Sequence, residues 1–264
     1  MKLGFIGTGN MASAIMGGII SKGVIPADEI IGADLFAPGR ERVKEKFGIH
    51  VTADNNEVVE KADVVLLSVK PQFYADVISG IKDKIRPDQI VITIAPGKTL
   101  SWLAEQFGKD VKIVRCMPNT PAMVGEGMTA ACPNEHMTEE EIEYVKTLLS
   151  SFGLVEIVPE KLMDTVTAVS GSSPAYVFMF IEAMADAAVL DGMPRAQAYK
   201  FAAQAVLGSA KMVLDTGKHP GELKDMVCSP AGTTIDAVRV LEECGFRGTI
   251  IDAVQTCAEK SRSL

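Results

Sequence analysis

The sequence predicts a doubly wound α/β domain with a parallel sheet, followed by an all-helical domain. Three observations carry the prediction. Up to about residue 158, short apolar, β-branched runs alternate with helical patterns. A glycine-rich turn directly follows the first run and opens a helix. After about residue 160 the strand-like runs stop and long Ala- and Met-rich stretches take over. The expected division is residues 1–158 and 159–264.

Taken in order, the strand candidates are KLGFIG, EIIGAD, DVVLLSV, QIVITIA, KIVRCMP and GLVEIV. They are almost continuously apolar, as strands covered on both faces by helices must be. Between them the helical period predicts Asn10–Lys22, Arg40–Phe47, Asn55–Lys61, Gln72–Ile85, Thr99–Phe107 and Glu139–Phe152. In the second half, SSPAYVFMFIEAMADAAVLDG begins with a serine cap, carries Pro174 at the first helical position and stops at Gly192. A second long helix runs from Pro194 to Gly217, a third begins near Thr233 and a fourth near Gly248. These helices are apolar round more than half their circumference. One hundred or so residues cannot bury that much surface alone, which predicts a helix-packed subunit interface.

Composition narrows the classes. The chain has 264 residues, 47% hydrophobic and 23% charged, an ordinary globular balance. A net charge of −8 with no Lys/Arg block argues against nucleic acid and anionic membrane as partners. No uninterrupted apolar run reaches the roughly 18 residues of a span, so no membrane segment is expected. The start MKLGFIGTGN has no apolar signal region. Five cysteines without a CxxC pair fit reduced thiols in a cytoplasmic protein and no zinc site. The three histidines, His50, His136 and His219, lie in polar stretches expected to be loop or helix edge, and no metal site is expected.

The turn is FIGTGNMASAI, with Gly7, Gly9 and Ala12 at G-x-G-x-x-A spacing. Gly7 permits the tight turn, Gly9 lets backbone amides approach a pyrophosphate, and Ala12 allows close helix–strand packing. Asp34 closes the second run; it either merely ends a strand or accepts hydrogen bonds from the ribose hydroxyls of NAD while repelling a 2′-phosphate. Arg40 and Arg42 follow and are able to pair with such a phosphate. SVKPQ (Ser68–Gln72) and TIAPG (Thr93–Gly97) end the third and fourth apolar runs, where ligands of open α/β sheets bind. Lys70 reads either as a catalytic lysine or as part of a backbone loop over the cofactor.

GFIGTGNMA, SVKP, RCMPNTPAMVGEGMTA, VSGSSPAYVFMFIEAMADAAVLDGMPR and HPGELKDMVCSPAGTTIDAVRVLEE together resemble pyrroline-5-carboxylate reductase, from about residue 2 to 262. The resemblance implies a Rossmann-type domain followed by a helical dimerisation domain. It implies reduction of 1-pyrroline-5-carboxylate to L-proline by NADPH or NADH, the last step of proline biosynthesis. It also implies a homodimer, with an active site at the dimer interface and dimers that often assemble into a decamer. Carried over by motif, the cofactor touches Ile6, Gly7, Thr8, Gly9, Asn10, Met11, Asp34, Asn55, Ser68, Val69, Lys70, Pro71, Ala95 and Gly97. The substrate touches Ser229, Gly232, Thr233 and Thr234, and Met117–Pro121 lines the nicotinamide end. Three positions depart from the family pattern: Asp34 where NADP-preferring members often carry Ser, Thr or Asn, Pro96 within an A-A-G, and Ala231 within an S-P-G-G. The first tips the expectation toward NADH.

A ketone that accepts hydride becomes an alkoxide and needs a proton donor. A cyclic imine that binds already protonated becomes a neutral amine and needs none. CSPAGTTIDAV suits that reaction, because Ser229 and the amides of Gly232, Thr233 and Thr234 open a helix and can hold a carboxylate. The Thr234 hydroxyl is expected at the ring nitrogen, which makes Thr234 the catalytic candidate. Ser229 and Pro230 also read as a plain helix cap, and Ser172 and Ser173 before Pro174 likewise. Glu182 and Asp186, four apart on one helix face, are expected to pair with basic residues across the interface. Two rivals remain: a β-hydroxyacid dehydrogenase, which needs a lysine in the first interdomain helix where residues 171–191 have none, and a non-catalytic dinucleotide-binding sensor.

Overall fold

The computed structural model describes residues 2–263. Eight strands form one sheet in the order β3-β2-β1-β4-β5-β6-β7-β8. They are β1 Leu3–Ile6, β2 Ile30–Ala33, β3 His50–Thr52, β4 Val64–Leu67, β5 Ile90–Thr93, β6 Lys112–Met117, β7 Gly127–Pro133 and β8 Gly153–Ile157. All neighbours pair in parallel except β6 and β7. The sheet reverses direction of growth at β1, between β2 and β4, which opens a crevice at the carboxyl ends of the strands. Every residue of β1, β2, β4 and β5 is buried, the consequence of helices covering both faces.

Helices α1 Asn10–Ser21, α2 Ala37–Phe47, α3 Asn55–Lys61, α4 Tyr74–Ile81, α5 Leu100–Phe107 and α6 Glu139–Leu149 flank the sheet. Their ends are chemically marked. Asp54 caps α3 by accepting from Asn56 N, Thr99 caps α5, and Thr138 with Glu141 forms a reciprocal capping box on α6. Gly48 and Gly108 close α2 and α5 in the left-handed conformation. Two apolar clusters, one on each face, hold Phe5, Ile15 and Phe152 on one side and Ile6, Tyr74 and Phe107 on the other.

Beyond β8 come α7 Met163–Val166, a five-residue π-helix Thr167–Gly171, and then α8 Ser173–Leu190, α9 Arg195–Thr216, α10 Pro220–Val227, α11 Thr233–Glu243 and α12 Phe246–Arg262. The chain divides into two compact units, Met1–Ser172 with Cys257–Leu264, and Ser173–Thr256. In the first unit, Ser261 Oγ donates to Asp164 at 2.6 Å and Cys257 Sγ contacts Ser172 Oγ at 3.2 Å. These contacts hold the end of α12 within the first unit. In the second unit the fully buried core residues are Ala185, Ala198 and Ala202, with Ile181, Met184, Ala188, Val189 and Met193 half-buried against them. Phe178, Met179, Leu190, Phe201 and Leu214 stand 63–89% exposed.

Several expectations need correction. His50 lies in β3, a three-residue edge strand too short to stand out as an apolar run, so SVKPQ and TIAPG follow the fourth and fifth strands. β7 was missed because GMTAACP is built from small residues with little β-branching. α2 starts at Ala37, three residues before Arg40, with Pro38 tolerated in its first turn. α10 starts on Pro220 with His219 as its cap, Nδ1 accepting from Gly221 N at 3.0 Å. Asp186 pairs with Arg195 of its own chain across the α8–α9 connection. The 31-residue stretch Glu160–Leu190, helical except for a bend at Ser172, is long and apolar enough by length and composition to cross a membrane; Ser170–Pro174 had broken the apolar run in the sequence.

Candidate active site

The first unit carries a crevice of about 480 Å³ at the carboxyl ends of β1, β4 and β5. Gly9, Asn10 and Met11 form one wall, Ser68, Val69, Lys70 and Pro71 a second, and Ile94, Ala95 and Pro96 a third. The far end is closed by Met117–Thr120 and by Thr167, Gly171 and Ser172. Sequence reasoning placed Met117–Pro121 here but missed Thr167 and Gly171. Their only trace in the sequence is the SGSSP break that ends the π-helix, an irregular turn of a kind often found at functional sites.

The glycine-rich turn is shaped by its neighbours. Gly7 has φ +96°, and a Cβ there would come within 2.8 Å of the Ser68 carbonyl, so glycine is required. Ser68 Oγ donates to Gly7 O at 2.7 Å and ties this turn to the loop after β4. At Gly9 a Cβ would meet nothing within 4 Å, so that backbone faces open space. Gly9 caps α1 without any side-chain hydrogen bond, and the first turn holds no acidic residue. Free amides, a positive helix end and no competing carboxylate fit a pyrophosphate.

Asp34 follows β2 and is fully engaged. Its Oδ2 accepts from Thr8 N at 2.8 Å and Thr8 Oγ1 at 3.0 Å, and its Oδ1 accepts from Phe36 N at 3.0 Å. Arg40 Nη1 donates to the Asp34 carbonyl, and Arg42 Nη2 to the Thr8 carbonyl at 3.1 Å. Both guanidinium groups are thus held by backbone carbonyls of this turn. Thr8 is buried against Asp34, and Ile6 is buried in β1. Ile6, Gly7, Thr8, Asp34, Asn55 and Gly97 do not line the crevice. Asn55 opens α3, after β3, and Gly97 turns the chain at φ +73° beyond Pro96.

The second unit holds the other candidate group. Ser229-Pro230-Ala231-Gly232 is a tight turn closed by Gly232 N donating to Ser229 O at 3.1 Å. Ala231 sits at φ +58°, alone among the described non-glycine residues in having positive φ. A Cβ on Gly232 would come 2.3 Å from Ser229 Oγ, so any larger residue where the turn enters α11 would push that hydroxyl aside. Gly232 caps α11 with no side-chain hydrogen bond, which leaves the amides of Thr233 and Thr234 at an uncapped helix start. The turn offers hydroxyls and amides, and the first turn of the helix it opens carries one acid, Asp236. No group of three or more metal-ligating side chains occurs among the described residues.

Comparison with known proteins adds independent findings. Residues 160–264 match the family described as pyrroline-5-carboxylate reductase dimerisation, and residues 2–97 match that described as NADP oxidoreductase coenzyme F420-dependent. The chain is 53% identical over 266 aligned positions to the pyrroline-5-carboxylate reductase of Escherichia coli K12, covering 100% of this chain and 98% of that protein. The solved reductase of Coxiella burnetii superposes with a TM-score of 0.93 at 35% identity, covering 99% of this chain and 97% of that one. That of Plasmodium falciparum, solved with NADP bound, gives 0.90 at 33% identity, covering 100% and 97%.

Proposed function

The chain belongs to the pyrroline-5-carboxylate reductase family, and from that premise we propose that it reduces 1-pyrroline-5-carboxylate to L-proline with NADH or NADPH. The observation that carries the reading is a substrate turn, Ser229–Thr234, that offers amides and hydroxyls but no acid. A nicotinamide bound in the crevice would supply hydride. Gly9 and the start of α1 hold the pyrophosphate, Ser68–Pro71 and Ala95–Gly97 grip the cofactor from either side, and Met117–Thr120 bounds its reactive end. The amides of Thr233 and Thr234 take the substrate carboxylate at the positive end of α11. The Thr234 hydroxyl orients the ring nitrogen. The imine carries its own proton, so the protein's task is positioning and electrostatics.

The β-hydroxyacid dehydrogenase reading is disfavoured by α8, which carries no lysine from Ser173 to Leu190. For the cofactor we favour NADH, since the Asp34 carboxylate stands where a 2′-phosphate would lie. For assembly we propose a homodimer through the helical segment, in which the apolar face of Glu160–Leu190 packs against a second copy and not against lipid. Free thiols throughout the described cysteines suit a cytoplasmic setting.

The test is a steady-state assay with nicotinamide deuterated at C4. Deuterium is expected on the proline ring carbon next to nitrogen that does not bear the carboxylate. Dinucleotide binding without any oxidation of NADH or NADPH by 1-pyrroline-5-carboxylate would leave the sensor reading standing instead.

A further inference from the structure

Tyr74 is wholly buried at the start of α4, yet its hydroxyl does not serve the core. It donates to the Leu67 carbonyl at 2.6 Å and accepts from the Ile94 amide at 3.3 Å. Those two backbone groups are partners in waiting. β4 and β5 pair in parallel with Val64 opposite Ile90 and Leu67 opposite Thr93, and Ile90 N donates to Asp63 O. Along a parallel ladder the same side of the strand recurs every second residue. The next rungs are therefore Ile92 to Val65 and Ile94 to Leu67. At that last rung the tyrosine hydroxyl stands between donor and acceptor.

We propose that Tyr74 is a wedge that sets the gap between the two loops gripping the dinucleotide, and so a positioning residue for cofactor binding. The proposal rests on the reading that the crevice takes a nicotinamide dinucleotide. Leu67 leads directly into Ser68–Pro71, and Ile94 leads into Ala95–Gly97. A direct bond between Leu67 and Ile94 draws both loops together at their roots, whereas an inserted hydroxyl holds them one oxygen atom further apart. Burial pushes the Tyr74 phenol well above its ordinary ionisation range, so it stays a neutral group that donates and accepts at once. α4 supplies the wedge from the far end of the first loop, since only Gln72 and Phe73 separate Pro71 from Tyr74. The loop and its spacer are thus one continuous segment.

The experiment compares wild type with Tyr74→Phe, which keeps the ring and removes the hydroxyl. KM and Kd for NADH and NADPH are expected to rise about tenfold, the usual scale for a lost buried hydrogen bond. kcat at saturation and KM for 1-pyrroline-5-carboxylate should stay within about twofold. Ile78→Val, which thins the same apolar cluster without touching the hydroxyl, controls for stability and should leave cofactor KM in place. Unchanged cofactor KM in folded Tyr74→Phe, or an equal rise in Ile78→Val, overturns the wedge. If Tyr74→Phe does not fold, a crystal structure of the wild type decides. A Leu67 O to Ile94 N separation beyond the hydrogen-bonding limit of about 3.2 Å, with the hydroxyl between, upholds the proposal, and a direct bond overturns it. Wild type that binds neither dinucleotide refutes the reading of the crevice itself, a distinct result.

Discussion

At the scale of single residues, we propose that Asp34 sets the choice of dinucleotide. A 2′-phosphate brought within a few ångströms of its carboxylate meets a repulsion of about 2–4 kcal/mol at an effective dielectric near 20, less with salt. Arg40 and Arg42 carry the charge to offset it, but each already donates to a backbone carbonyl of this turn. We therefore expect wild type to favour NADH. Asp34→Ser should shift the kcat/KM ratio toward NADPH by about tenfold, measured with both cofactors. Strong NADPH preference in wild type, or an unmoved ratio, would show that the arginines prevail. Ala231 offers a second test. Its φ of +58° costs an alanine about 1 kcal/mol relative to glycine. Ala231→Gly should raise the denaturation midpoint slightly and leave turnover intact, since the mutant keeps the Ser229–Gly232 turn; a lower midpoint contradicts the strain.

At the scale of elements, an ion pair inside the first unit ties the turn after β8 to β6. Arg115, on β6 and almost wholly buried, donates to Glu160 at 2.8 Å, and the same carboxylate oxygen accepts from Leu100 N at 2.7 Å. Glu160→Ala leaves a buried guanidinium and the Leu100 amide at the start of α5 without their shared partner, so a loss of about 3 kcal/mol is expected by chemical denaturation. A loss under about 1 kcal/mol would mean water replaces the carboxylate freely. The sequence showed the buried strands and the long helices well, because continuous apolar runs and proline and glycine punctuation are local signals. β7 and the π-helix were hidden for opposite reasons. GMTAACP has side chains too small to announce a strand, and the π-helix depends on tertiary ties such as Asn119 Nδ2 donating to Ser170 O at 3.0 Å. The candidate site was legible where backbone motifs make it, at Gly9 and at Ser229–Gly232. Tyr74 was not, since its role appears only once β4 and β5 are aligned.

At the scale of the whole molecule, a second unit whose fully buried core residues are three alanines and whose helices expose Phe178 and Met179 needs a partner surface. If the proposed homodimer forms through this face, Phe178→Asp should convert it to monomer in analytical ultracentrifugation and cost most of the activity. A variant that remains dimeric moves the interface elsewhere. The central chemical claim is that hydride reaches an imine that brings its own proton, with no acid from the protein. Lys70 is the one ionisable side chain lining the cofactor crevice. The pH profile of kcat/KM for 1-pyrroline-5-carboxylate, run in wild type and in Lys70→Met, tests this most directly. Both profiles should fall at high pH with the same apparent pKa, that of the substrate imine. An alkaline limb that vanishes or moves in Lys70→Met would contradict the account and make the lysine the proton donor.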